Sequence, residues 1–210
     1  NDVAIMVGGT GLYVKTFCHG IDEVPEVSAE IREQIIADYE WEGLAWLQNV
    51  VKEKDPLYYA KGEIQNPQRL MRALEVKLST GKSIIEFQTQ NQKRRNFDII
   101  KIGLEMDREA LYQRINERVD VMIEKGLPEE AESLLPYRKL SALQTVGYRE
   151  LFSYLDEDVS LEYAIQFIKQ NTRNYAKRQV TWFKKDEEVI WCDVDYDKVL
   201  TAVNNQLNKS

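Results

Sequence analysis

At 210 residues the chain is long enough to bury a proper core, as one large domain or two small ones. Its 28 Lys and Arg against 35 Asp and Glu give a net charge of −7, which repels polyanions overall and confines any nucleic-acid site to a local basic patch. Two cysteines (Cys18, Cys192) and one histidine (His19) exclude a disulfide framework or a zinc site, and with no apolar stretch of ~20 residues and no secretion signal, a cytoplasmic protein is expected.

In chain order, Val3 to Val7 is an apolar, β-branched run that predicts a strand buried in a parallel sheet. It runs into the turn Gly8-Gly9-Thr10-Gly11 and then a helical pattern. Ser28 predicts a helix N-cap, with Ile31, Ile35 and Ile36 on the apolar face, and a second helical stretch follows from Leu44 to Val51. Asn66, Pro67 and Gly81 mark the cap, first position and end of another helix. Strands are predicted within 97–106 and 188–194. Between them Asp107 caps a helix with Leu111, Ile115, Val119 and Met122 on one face, closed by Gly126. Shorter helices follow over 128–135 and 143–155, then a long one over 161–183, anchored by Ile168, Tyr175 and Trp182.

Four features carry chemistry. A glycine turn between a buried strand and a helix presents N–H groups and the Thr10 hydroxyl at the sheet's carboxyl edge. It lacks the GxxxxGK[ST] order of a phosphate loop, and a plain tight turn explains it equally well. In "QRLMR", Gln68, Arg69 and Arg72 converge on one surface, as phosphate recognition or a solvated face both allow. Arg114 and Arg118, four apart, repel unless an anion or Glu117 relieves them. Lastly, 169–185 holds six cations and no acid, and Lys169, Arg173 and Lys177 repeat every four residues as one cationic stripe. Such a stripe, interleaved with Asn, Gln and Thr, suits a phosphate backbone.

The stretches "VGGTGLY", "NPQRLMRALEV", "LYQRINERVDVMIEKGL", "LQTVGYREL" and "NTRNYAKRQVTWF", in this order, resemble the bacterial tRNA dimethylallyltransferase family. That resemblance implies an α/β fold: a P-loop NTPase-like core with an incomplete parallel sheet, in a mostly helical chain, plus an all-helical insertion. The core is expected over 1–20 and 66–210, and the insertion over 21–65, with an end that extends as far as about 92. The implied reaction transfers a dimethylallyl group from dimethylallyl diphosphate to N6 of adenosine 37, next to the tRNA anticodon. Thr10 then matches the threonine that contacts the target amine, and Arg118 the arginine associated with the diphosphate. The turn glycines are Gly8, Gly9 and Gly11.

For the tRNA anticodon stem-loop the resemblance carries over to Arg32, to Gln68, Arg69, Leu70, Met71 and Arg72, and to Lys139, Leu140, Ser141, Ala142, Leu143 and Gln144. It also covers Thr172, Arg173, Asn174, Tyr175, Ala176, Lys177, Arg178 and Gln179. A monomer is expected. The family's phosphate loop and its catalytic aspartate do not occur in these residues, and Lys184 stands where an arginine is expected after Trp-Phe. Both would precede Asn1, so the chain is expected to be a C-terminal portion, inactive alone, with the ligands of the implied Mg2+ in the preceding segment. Two other readings stay open: an RNA-binding module without chemistry, and an enzyme of the adenylate isopentenyltransferase type.

Overall fold

The computed structural model describes residues 3–88 and 93–208. The chain divides into two compact units, Asn1–Val14 with Phe97–Ser210, and Lys15–Asn96.

The Lys15–Asn96 unit is helical because its local signals agree with its packing. Helix α1 (Gly11–His19) leads into it, and α2 (Ala29–Lys54) starts at the Ser28 cap, whose hydroxyl accepts from Ile31 N–H. Gly43, at φ 81° and ψ −171°, breaks α2 into two stretches. Asp55 caps α3 (Pro56–Lys61), and Asn66, Pro67 and a left-handed Gly81 bound α4 (Pro67–Thr80). Ser83 and Glu86 form a capping box on α5 (Ile84–Phe87). The core joins Ile35, Leu47 and Val51 of α2 and Tyr58 of α3 to Leu70, Met71, Ala73 and Leu74 of α4. Each large apolar side chain buried this way contributes about 1.5–3 kcal/mol. Helix α4, which falls in the insertion if that extends to about 92, packs on α2. Its apolar face is complementary to that of α2, so burial places it there.

The other unit holds the sheet. Strand β1 (Lys101–Glu105) pairs in parallel with β2 (Val189–Asp193), Gly103 opposite Trp191. A Cβ on Gly103 would lie 2.8 Å from Trp191 Cε3, so glycine lets the indole cross the strand. Between the strands come α6 (Arg108–Glu124), capped by Asp107, α7 (Leu127–Ser133), α8 (Tyr148–Leu155) and α9 (Leu161–Phe183). Val119, Leu127, Ala131, Leu151, Phe152 and Ile168 form their core. Helix α10 (Tyr196–Leu207), capped by Asp195, follows β2 and was not foreseen in the sequence.

Two expectations change. Val3 to Val7 is not a strand: Ile5 is 87% and Val7 90% exposed, and among the described residues only β1 and β2 pair. Apolar composition does not make a strand without a ladder partner. Of the three expected anchors of α9, only Ile168 is buried; Tyr175 and Trp182 are 40% and 46% exposed. Among the described residues no helix is long and apolar enough to cross a membrane.

Candidate RNA and catalytic surfaces

In the sheet-bearing unit, the glycine turn is held by α9. Gln179 Nε2 donates to the Gly9 carbonyl at 2.9 Å. A Cβ on Gly9 would sit 2.1 Å from that nitrogen, and one on Gly11 2.3 Å from Trp182 Cδ1. Close approach favours glycine at position 11, against the indole; at position 9 the neighbour is the flexible end of Gln179, and a Cβ on Gly8 meets nothing. The Thr10 carbonyl accepts from Tyr13 and Val14 N–H at 3.0 and 3.1 Å, which makes Thr10 the N-cap of α1. Its side chain is exposed to solvent at a helix N-terminus, beside N–H groups able to receive an anion.

The rest of α9 meets α6. Lys169 Nζ lies 2.5 Å from Asp120, and Arg173 Nη1 donates to Asn116 Oδ1 at 2.6 Å. Arg173 and Lys177 also stand over the Tyr112 ring, as does Arg108, whose Nε donates to the phenol oxygen at 3.1 Å. Burial pushes the Tyr112 phenol up, but hydrogen bonds from Arg108 and Lys177 outweigh it and leave the phenol below its ordinary value. Arg178 stacks over Tyr175, and the Thr172 hydroxyl donates back to the Ile168 carbonyl. Asn174 and Ala176 are half-buried. Lys184, in place of the expected arginine, lies 3.7 Å from Glu105 and over the Trp191 ring.

Arg118 is exposed on α6. Two residues from both Asn116 and Asp120, it projects from the flank turned away from the line that meets α9. No hydrogen bond or ion pair joins it to Thr10 among the described residues.

The 139–144 run forms a one-turn 3₁₀ helix, Ser141–Leu143. Lys139, Leu140, Ser141, Ala142 and Gln144 face solvent, while Leu143 packs on the core. Arg138 grips Asp156 with two hydrogen bonds, of 2.7 and 2.5 Å, and its carbonyl accepts from Gln144 Nε2. The run is tied to α9 through buried Glu150, which accepts from Gly147 N–H at 2.8 Å and Asn171 Nδ2 at 2.7 Å. A glycine three residues before a glutamate is a readable capping signal, so Glu150 was within reach of the sequence.

In the Lys15–Asn96 unit, Arg32, Ile36, Gln68, Met71, Arg72 and Glu75 line a cleft of about 250 Å³. Glu75 is 5% exposed and organises it: its Oε1 and Oε2 accept from Arg32 Nε and Nη2, both at 3.2 Å, and Oε2 also accepts from Arg72 Nη1 at 3.3 Å. Five N–H donors per guanidinium leave both arginines with capacity for a phosphate. Leu70 and Met71 are buried and hold α4 in place, and Arg69 N–H serves the Asn66 cap.

Comparison with known proteins identifies a family. A family model described as IPP transferase matches residues 1–186. The tRNA dimethylallyltransferase of Flavobacterium psychrophilum is 48% identical over 215 residues, covering 99% of this chain and 70% of that protein. That of Christiangramia forsetii is 51% identical over 193 residues, covering 92% and 64%. Among solved structures, the full-length tRNA isopentenylpyrophosphate transferase of Bacillus halodurans superposes with a TM-score of 0.57 at 35% identity, covering 95% of this chain and 64% of that one. A eukaryotic dimethylallyltransferase acting on tRNA gives 0.70 at 25% identity, covering 96% and 56%. The chain therefore spans 64–70% of the length of these curated relatives. With the family model over most of its residues and relatives near half identical along nearly its whole length, the chain belongs to the IPP transferase family.

Proposed function

We propose that the protein carrying this chain transfers a dimethylallyl group from dimethylallyl diphosphate to N6 of adenosine 37 beside the anticodon, and that it works as a monomer. The observation that carries the reading is the dual use of α9, which seats the Thr10 turn through Gln179 and Trp182 and displays Arg173, Lys177 and Arg178 on the same helix.

The adenine amine attacks the allylic carbon, the carbon–oxygen bond to the diphosphate breaks, and one amine proton passes to the family's catalytic aspartate, which the resemblance implies outside these residues. The Thr10 hydroxyl orients the amine; it is no base at neutral pH and has no basic neighbour on the turn, so its part is positioning of the nucleophile. The Arg118 guanidinium offers charge to the departing diphosphate. The base leaves its stack to reach Thr10, while the 139–144 and 172–179 runs in one unit, and Arg32 with the 68–72 run in the other, each contact the stem-loop. Magnesium suits diphosphate chemistry in this family, but no side chain of the 8–11 turn is a carboxylate or imidazole, so the turn itself offers it no ligand set.

The test is transfer of labelled dimethylallyl by the complete enzyme to unmodified tRNA, with AMP as competitor. Thr10→Ala lowers kcat about 100-fold and leaves tRNA affinity within about twofold, the scale of a lost orienting contact. Wild-type rates in that variant, or preferential labelling of AMP, would overturn the assignment.

A further inference from the structure

One line of α6 lies along one line of α9, and its charge changes from end to end. At Lys169 the cation is answered by Asp120. One turn on, Arg173 meets only the neutral Asn116 amide. At the far end Arg108, Lys177 and Arg173 surround the Tyr112 ring, 5.3, 5.8 and 6.0 Å from its centroid. Among the described residues, none of these three cations takes part in an ion pair with a carboxylate. An aromatic face attracts a cation but does not neutralise it. Three positive charges around one ring, at a solvent-exposed edge, therefore present an unfilled demand for a multidentate anion.

Building on the transferase reading, we propose that Arg108, Tyr112, Arg173 and Lys177 form a phosphate site for the backbone of the RNA substrate, with the three cations gathered around the Tyr112 ring. Arg108 and Tyr112 lie outside the 172–179 run and extend it onto a second helix. The diphosphate of the prenyl donor is the other phosphate in the reaction; Arg173 and Lys177 belong to the run proposed for the RNA, which favours the RNA backbone here, and separate probes distinguish the two. Gln179 and Trp182, which seat the Thr10 turn, project about 140–200° around α9 from Lys177. The Tyr112 cluster and the Thr10 turn are thus on different faces of α9.

Arg108→Ala and Tyr112→Leu in the otherwise unchanged protein test this, with unmodified tRNA and inorganic pyrophosphate as separate probes. Arg108 is exposed, so its removal leaves the α6–α9 packing intact. The expected result is tRNA affinity about 5–10-fold weaker in each variant, with the slope of log K against log[salt] shallower by about 0.7–0.9 in Arg108→Ala, and pyrophosphate affinity unchanged. Weakened pyrophosphate binding with an unchanged tRNA slope would reassign the cluster to the donor and overturn the proposal. An unchanged slope and affinity in both variants would overturn it while leaving the transferase reading standing, whereas absence of tRNA binding by the wild type would overturn both.

Discussion

The cleft around Glu75 makes a quantitative prediction. Glu75 holds Arg32 through two parallel hydrogen bonds of 3.2 Å, with the Glu75 side chain 6% exposed and the Arg32 side chain 51% exposed. Two unit charges about 4 Å apart attract by roughly 1 kcal/mol in water and about 4 kcal/mol at an effective dielectric of 20. The exposed guanidinium brings the pair toward the lower figure, near 1 kcal/mol. A double-mutant cycle with Arg32→Ala, Glu75→Gln and the double variant, followed by urea denaturation, should return a coupling of about 1 kcal/mol. Glu75→Gln alone should cost about 1–2 kcal/mol, since it also weakens the Arg72 contact. Additivity within about 0.3 kcal/mol would refute the view that Glu75 sets the pose of Arg32.

Other predictions concern the turn, a loop and a surface pair. Gly11→Ala places a methyl group 2.3 Å from the Trp182 indole and should displace the turn, lowering kcat at least about tenfold with tRNA affinity nearly unchanged; single-turnover kinetics separate the two. Gly147→Ala forces a side chain to φ 107°, and the denaturation midpoint should fall by an amount equivalent to about 1–3 kcal/mol. The hydrogen bond from Arg138 holds the Asp156 carboxyl below its ordinary value of 3.8. That contribution is present above the ordinary value and disappears as pH falls through the lowered one. Thermal unfolding from pH 6 down to pH 2 should therefore decline less steeply in Asp156→Asn than in the wild type.

What could be read from the residues alone was what is local. Ser28, Asn66, Asp107 and Gly81 act where they were expected because a cap depends on backbone groups within a few residues. The bounds of α9 followed from helical periodicity, and both strands of the sheet from short apolar runs. Val3 to Val7 failed because a strand is defined by its neighbour, and apolar composition carries no record of one. Tyr175 and Trp182 share a heptad spacing with Ile168, which places them on one helix face without showing whether anything covers it. Glu75 is legible as a partner of Arg72 three residues before it, whereas its pairing with Arg32, 43 positions away, and the approach of Arg173 and Lys177 to Tyr112 depend on tertiary packing. The parts of these two clusters look like ordinary surface charges until α2 lies on α4 and α6 on α9. Within the RNA-side runs, the sequence named contiguous stretches, whereas helix geometry turns Leu70, Met71 and Leu143 inward and leaves their polar neighbours at the surface.

The claim at the centre of this account is that the α9 surface grips tRNA. It is tested most directly by a salt titration of tRNA affinity for the wild type and for Arg173→Ala, Lys177→Ala, Arg178→Ala combined. The account predicts steep weakening with salt in the wild type and a slope shallower by about two to three in the triple variant. Absent or salt-insensitive binding by the wild type, or an unchanged slope in the variant, would contradict it.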